Sequence, residues 1–272
     1  MIENFKTSIL GATGFKVGRL GLAASYGAPA RAFEEAFEKG CNYFYLGSGR
    51  HRSGMKTAIR NLCKQGHRDK LIIAIHTYAR FGFMTETLFK RSLHSLGIES
   101  ADALILGWHN SAPFSMLIDF ALRMKEQGLC KSIGMSGHNR SLFPEMMEKN
   151  IFDLFHIRYN PAHRGAEEEC FPLFDKPPKP GVITYTATRW GHLIDVRNMP
   201  PGETALNASD CYRFVLSNSQ VDICMCGPKN IDQMRTALTS LDLGPLTDQE
   251  SNRIKTIGDH VHKTAKGFFF NF

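Results

Sequence analysis

The chain has 272 residues, is 43% hydrophobic and carries a formal net charge of +7 at neutral pH, enough apolar content for a core without disulfide staples. Its seven cysteines are odd in number, scattered and without a CxxC pair, which excludes a disulfide framework and the usual zinc or thiol-exchange motifs and points to buried thiols in a reducing, cytoplasmic compartment. The N-terminus shows no signal-peptide or membrane-spanning pattern and no dense basic stretch is present, so neither membrane nor nucleic acid is an expected partner, and a positive pocket for an anionic small molecule accounts for the charge.

Residues Thr7 to Lys16, with an Ala-Thr-Gly turn, predict a hairpin that closes the floor of the fold. The chain then alternates between short apolar runs and longer segments of helical period, the pattern of parallel strands joined by crossover helices. The first run, Arg19 to Ala23, leads to Ala30, Phe33 and Phe37 at helical spacing, with Lys39-Gly40 marking a helix end. The second and third runs are Tyr43 to Gly47 and Leu71 to His76. After the fourth, Ala103 to Leu106, the residues Phe114, Leu117, Ile118, Ala121 and Leu122 form one apolar helix face opposite Arg123, Lys125 and Glu126. The fifth and sixth runs are Ser132 to Ser136 and Leu154 to Arg158. Pro172 to Pro180 is too rich in proline for helix and reads as the loop into the seventh run, Val182 to Tyr185. The eighth, Ile223 to Cys226, puts Cys224 and Cys226 on one strand face as packing residues. The tail after Asp248 predicts an extra helix that ends in the apolar Gly267 to Phe270, docked on the barrel exterior or on a second subunit.

No compositional break marks a linker, so residues 1–272 read as one α/β domain: a single (β/α)8 TIM barrel with an N-terminal β-hairpin and a C-terminal extra helix. No GxGxxG follows the first run, which removes the Rossmann alternative.

Five phrases in fixed order, LGATGFKVGRLGLAASYG, LHSLGIESADALIL, GLCKSIGMSGHN, GVITYTATRWGHLI and CMCGPKNIDQM, resemble the aldo-keto reductase family over nearly the whole length. The resemblance implies hydride transfer from NADPH to a carbonyl, with a tyrosine as general acid, a lysine paired to an aspartate and a histidine that orients the substrate. At the matching positions each of the four is replaced. YFYLG puts Tyr45 at the aspartate, Arg50 with His51 beside it stands at the tyrosine, LIIAIH puts His76 at the lysine, and Gly107 followed by Trp108 stands at the histidine. The cofactor positions survive in part. The resemblance gives Tyr185 the nicotinamide stack and Ser136 the carboxamide, with Gly137 and His156 in place of the family asparagine and glutamine. It gives Gly227, Lys229 and Gln233 the adenosine 2′-phosphate, while Thr236-Ala237 replaces a Glu-Asn pair. A basic side chain beside a helix N-terminus is also a phosphate site on general grounds.

In a closed barrel, Tyr26, Tyr45, His76, Trp108, His109, Ser136, Arg158, Tyr185 and Arg189 converge on one mouth. Tyr45 and His76 are the catalytic candidates, as a proton relay in which the imidazole titrates near neutrality. Tyr26, Arg50, Trp108, His109, Arg158 and Arg189 are the substrate-binding candidates; Arg158 and Arg189 either clamp a carboxylate or phosphate or pair with Glu167. Asn160 reads as a loop-ordering residue and Asn139 as a helix cap. No HxxxH or His-Cys cluster suggests a metal. The expectation is a monomeric oxidoreductase-type barrel that binds NADP(H) and a small, anionic carbonyl or related substrate through a non-standard site. The alternatives are a catalytically inactive ligand-binding or sensor barrel and a non-redox lyase or isomerase that uses the same mouth.

Overall fold

The computed structural model describes residues 5–47 and 49–264. A hairpin of β1 (Thr7–Ile9) and β2 (Lys16–Gly18) precedes eight parallel strands: β3 (Leu20–Ala23), β4 (Tyr43–Leu46), β5 (Ile72–Thr77), β6 (Ala101–Leu106), β7 (Cys130–Gly137), β8 (Leu154–Arg158), β9 (Gly181–Tyr185) and β10 (Ile223–Cys226). They pair in sequence order, and β10 returns to β3 to close the barrel. The crossovers carry α1 (Ala30–Glu38), α2 (Ser53–Lys64), α3 (Gly82–Leu96), α4 (Ser115–Glu126), α5 (Leu142–Glu148), the short α6 (Ala166–Glu169) and α7 (Ala208–Leu216). After the last strand come α8 (Ile231–Leu243) and α9 (Asp248–Thr264). Each of the eight apolar runs is a barrel strand, and the predicted hairpin and C-terminal helix are present. Gly267 to Phe270 lie outside the described residues.

Period-two alternation builds the two layers of the core. Tyr43, Ile72, Ala74, Ala103, Ile105, Leu154, Ile183 and Ile223 fill the barrel interior, while Leu22, Phe44, Ile73, Leu104, Phe155 and Val182 face outward onto the helices. Cys224 and Cys226 share the outward face, and all seven cysteines are free. The segment Phe171–Asp175 departs from expectation: it is a short 3-10 helix, with proline at the start, where a missing N–H costs nothing.

The hairpin seals the barrel floor. Leu10 is fully buried, and the amide of Ala12 donates to the Lys179 carbonyl at 2.8 Å. Gly11, at a φ of 48°, lies so close to Gly181 that a Cβ would meet its nitrogen at 2.3 Å. The floor also holds two buried carboxylates, Asp102 and Asp222, and a half-buried one, Asp153. Asp102 accepts from Arg68 at 3.0 Å, Lys131 at 2.9 Å and the Ile73 amide at 2.9 Å. Asp153 accepts from Lys125 and the Ile133 amide, and Asp222 from the Val182 amide and the Ser8 hydroxyl. Each carboxylate therefore ties a neighbouring strand at its edge. No helix among the described residues is long and apolar enough to cross a membrane.

Candidate functional site

Acids are scarce at the barrel mouth. Apart from the long loop after β9, no loop that follows a barrel strand at the mouth contains an Asp or Glu. In that one loop, Asp195 is tied to Arg197 and Glu203 to Arg253. The same eight loops carry Arg50, Arg52, Arg80, Arg140, Arg164, Arg189, Arg197 and Lys229, with five histidines among them. A mouth whose loops carry cations and few acids is a receptacle for anions.

At its centre is a ladder of aromatic and imidazole rings. The Tyr43 hydroxyl and His156 Nε2 are hydrogen-bonded at 2.9 Å, below Tyr45, whose ring lies 5.1 Å from that of His156 and stacks on His76 at 5.6 Å. His76 in turn meets Tyr78 edge-on at 4.1 Å. Neither His76 nitrogen has a partner although both are buried. Gly107 makes the room, since a Cβ there would sit 1.6 Å from His76 Nε2. The glycine at the family's histidine position is thus the space the imidazole needs.

Burial sets the protonation states. Desolvation, helped by Arg80 and His109, pushes His76 down to about 3, and desolvation does the same to His156. Burial and the neighbouring phenols hold Tyr45 well above the usual tyrosine range. The expected imidazole titrating near neutrality is therefore corrected. His76 is a neutral ring across the physiological range, with one donor and one acceptor nitrogen, and Tyr45 stacks on it rather than hydrogen-bonding to it.

The other candidates divide. Tyr26, in the turn after β3, lies on Gly227, where a Cβ would come within 2.3 Å of its ring. Arg50 is exposed in the loop before α2. Trp108, at a φ of 55°, stands half-exposed at the rim, and its amide donates to Ser136 Oγ at 3.0 Å. His109 accepts from Arg80 of the neighbouring loop at 2.9 Å, while Arg80 also donates to the Gly107 and Trp108 carbonyls. Arg158 is half-buried with its Nε unpartnered, and no carboxylate among the described residues pairs with it. His163 Nδ1 is buried and unpartnered as well, and burial together with Arg158 and Arg189 pushes that ring to about 3. Arg189 does not form the second half of a clamp: it is 5% exposed and donates to the Val261 carbonyl in the last turn of α9, where a cation complements the helix end. Glu167 pairs with neither arginine and accepts from the Tyr159 hydroxyl.

On the opposite arc, β7 to β10, the cofactor candidates sit on consecutive strands. The Tyr185 ring is pinned by its hydroxyl donating to the Gly137 carbonyl at 2.8 Å. Lys229 follows β10, its amide donating to Gln233 Oε1 at 2.9 Å, while Asn230 caps α8 by accepting from the Gln233 amide. Gln233 therefore orders this turn. Asn160 bridges to Thr186 and Ala162 and orders its loop, as expected; Asn139 binds the Asn110 carbonyl instead of capping α5. Sequence reasoning missed Arg80, which no motif marks. It missed Tyr43 and Tyr78 as well, although Tyr43 shares the alternation of Tyr45.

No family model matches the chain, and no curated protein does. Among solved structures it is similar to an aldo-keto reductase from Bacillus halodurans. Against the holo form the TM-score is 0.77 at 19% identity, covering 93% of this chain and 96% of that one. Against the apo form the TM-score is 0.75 at the same 19% identity, covering 93% and 95%. The likeness establishes a shared barrel fold over most of both chains.

Proposed function

We propose that this barrel binds NADP(H) along the β7–β10 arc and acts as an oxidoreductase on a small anionic carbonyl or related compound held at the mouth. The observation that carries the reading is the placement of two complementary arcs around one acid-poor mouth: Ser136 on β7, Tyr185 on β9 and Gly227 and Lys229 just after β10, with Tyr45 and His76 facing them on β4 and β5. The residues present fit the phosphate-bearing end, where a lysine amine stands beside the N-terminus of α8 and Tyr26 covers Gly227. Tyr185 offers an aromatic wall. When bound, NADP(H) would supply or accept the hydride.

The chain's own groups account for the rest. Arg158, which pairs with no carboxylate among the described residues and has an unpartnered Nε, binds the substrate's anionic group. Tyr45 stays protonated and directs its O–H toward a substrate oxygen, and neutral His76, stacked against it, offers that substrate a hydrogen bond from its free nitrogens. Fluorescence titration should give NADPH binding tighter than NADH binding, and Lys229→Ala should weaken NADPH by about tenfold, roughly 1.4 kcal/mol, while leaving NADH unchanged. Absence of binding to NADPH, NADP and NADH alike overturns the cofactor assignment.

One observation favours a second reading. Ser136 Oγ is taken by the Trp108 amide, position 137 has no side chain, and His156 Nε2 is bonded to Tyr43, so the carboxamide clamp is reduced. A non-redox isomerase or lyase needs only the arginine and the proton-handling pair, and it is the reading that failed cofactor titrations would select.

A further inference from the structure

A cavity of about 420 Å³ opens on the outer flank of the barrel wall, between the first turn of α2, the end of β5 and α3. Its lining runs from Ile75, on the outward face of β5, through His76, Thr77 and Tyr78, so it adjoins the ring ladder of the mouth from the outer flank. Its polar lining is one-sided. Arg52, Lys56 and Arg91 face it, and no Asp or Glu does. Among the described residues Lys56 and Arg91 have no hydrogen-bond or ion-pair partner, whereas Arg52 is fixed by donating to the Gly49 and Gly47 carbonyls at 2.9 and 3.0 Å. Leu88 and Phe89 supply an apolar wall, with Ser92 beside them.

The charge arrangement costs stability as it stands. Arg52, Lys56, Arg60 and Lys64 follow one another at four-residue spacing, a like-charge column on a helix that contains no acid. Two of these cations lie at the N-terminal end, where the helix dipole already presents positive charge, and no side chain caps that end. The acid of α3, Glu86, is paired with Lys90 at 2.6 Å. Burial and the neighbouring Arg52 and Arg60 lower the Lys56 ammonium from its ordinary range. No acid among the described lining residues relieves this repulsion, and a bound anion would.

We infer that this cavity is a second binding site, on the outer flank beside the ring ladder, for a small organic anion: a phosphate or carboxylate head held by Lys56, Arg91 and Arg52, and an apolar body against Leu88 and Phe89. The site stands independently of the cofactor reading, because none of its cations belongs to the proposed cofactor arc.

The test is calorimetric titration of the full chain with phenyl phosphate and, separately, with benzoate. Saturable binding of either is expected, and comparing the two identifies the preferred head group. The double substitution Lys56→Met with Arg91→Met should weaken binding on the order of tenfold or more, while Arg158→Met at the mouth should leave it unchanged. Both substitutions in the double variant remove repulsion, so its melting temperature should hold or rise, which separates lost binding from lost fold. No saturable binding of either probe, or wild-type affinity in the folded double variant, overturns the site. Loss of binding in Arg158→Met alone does so too, by moving the anion to the mouth.

Discussion

Replacing Asp102 by alanine is expected to remove about 2–4 kcal/mol of folding stability, read as a lower urea midpoint at unchanged slope. The carboxylate side chain is 1% exposed and serves three donors at once: the Arg68 guanidinium, the Lys131 ammonium and the Ile73 amide. Lys131, 60% exposed, can return to water when its partner goes. The Ile73 amide, inside the β5–β6 junction, cannot, and an orphaned buried donor accounts for much of the cost. Asp102→Asn keeps an acceptor for that amide and should recover part of the loss. The exposed Lys6–Asp242 pair is the control: its contacts are as short, at 2.7 Å, and its removal should change nothing measurable. A midpoint shift no larger for Asp102→Ala than for that control would show that the floor carboxylate is not holding the strands together.

The second large effect is acid lability without loss of any carboxylate. His76 and His156 titrate at the ordinary value of 6.5 in the unfolded chain but only at about 3 when folded, because burial disfavours the imidazolium. Between those values the unfolded state binds more protons. The stability these two rings contribute is therefore full above about pH 6.5 and falls as pH drops toward 3, with a limiting slope from the pair of two protons, about 3 kcal/mol per pH unit. His163, pushed to about 3 by burial and Arg158, and His109, pushed to about 4 by burial and Arg80, add to the same trend. Urea melts across mildly acidic pH measure the slope. His156→Gln, which keeps a partner for Tyr43, should reduce it by about one proton; an unchanged slope in that variant would remove His156 from the explanation.

The barrel was legible in the sequence because each strand is a short apolar run bounded by polar loops, so the period and the order of elements are both written locally. Arg19 to Ala23 and Ile223 to Cys226, at opposite ends of the chain, read as strands on their own, and closure follows from pairing them. The ring ladder was half legible: Tyr45 and His76 stood out by position, but their stacking depends on Gly107, whose role is an absence of atoms on another strand. Arg189 shows the limit most clearly. Its place in the loop after β9 suggested a ligand contact, yet its destination is a carbonyl of α9, distant in sequence. Side-chain direction in irregular loops, set by a positive φ at Arg189 and Trp108, leaves no periodic trace to read.

The scarcity of acids in the mouth loops also governs traffic. Cations there, with few carboxylates beside them, give the open end a positive field that draws an approaching anion before contact. Encounter with an anionic ligand should then be fast at low ionic strength and slow as salt is added, while its departure, set by short-range contacts within the mouth, stays nearly constant. The barrel thus selects its visitors by sign in the approach, ahead of any recognition of their shape.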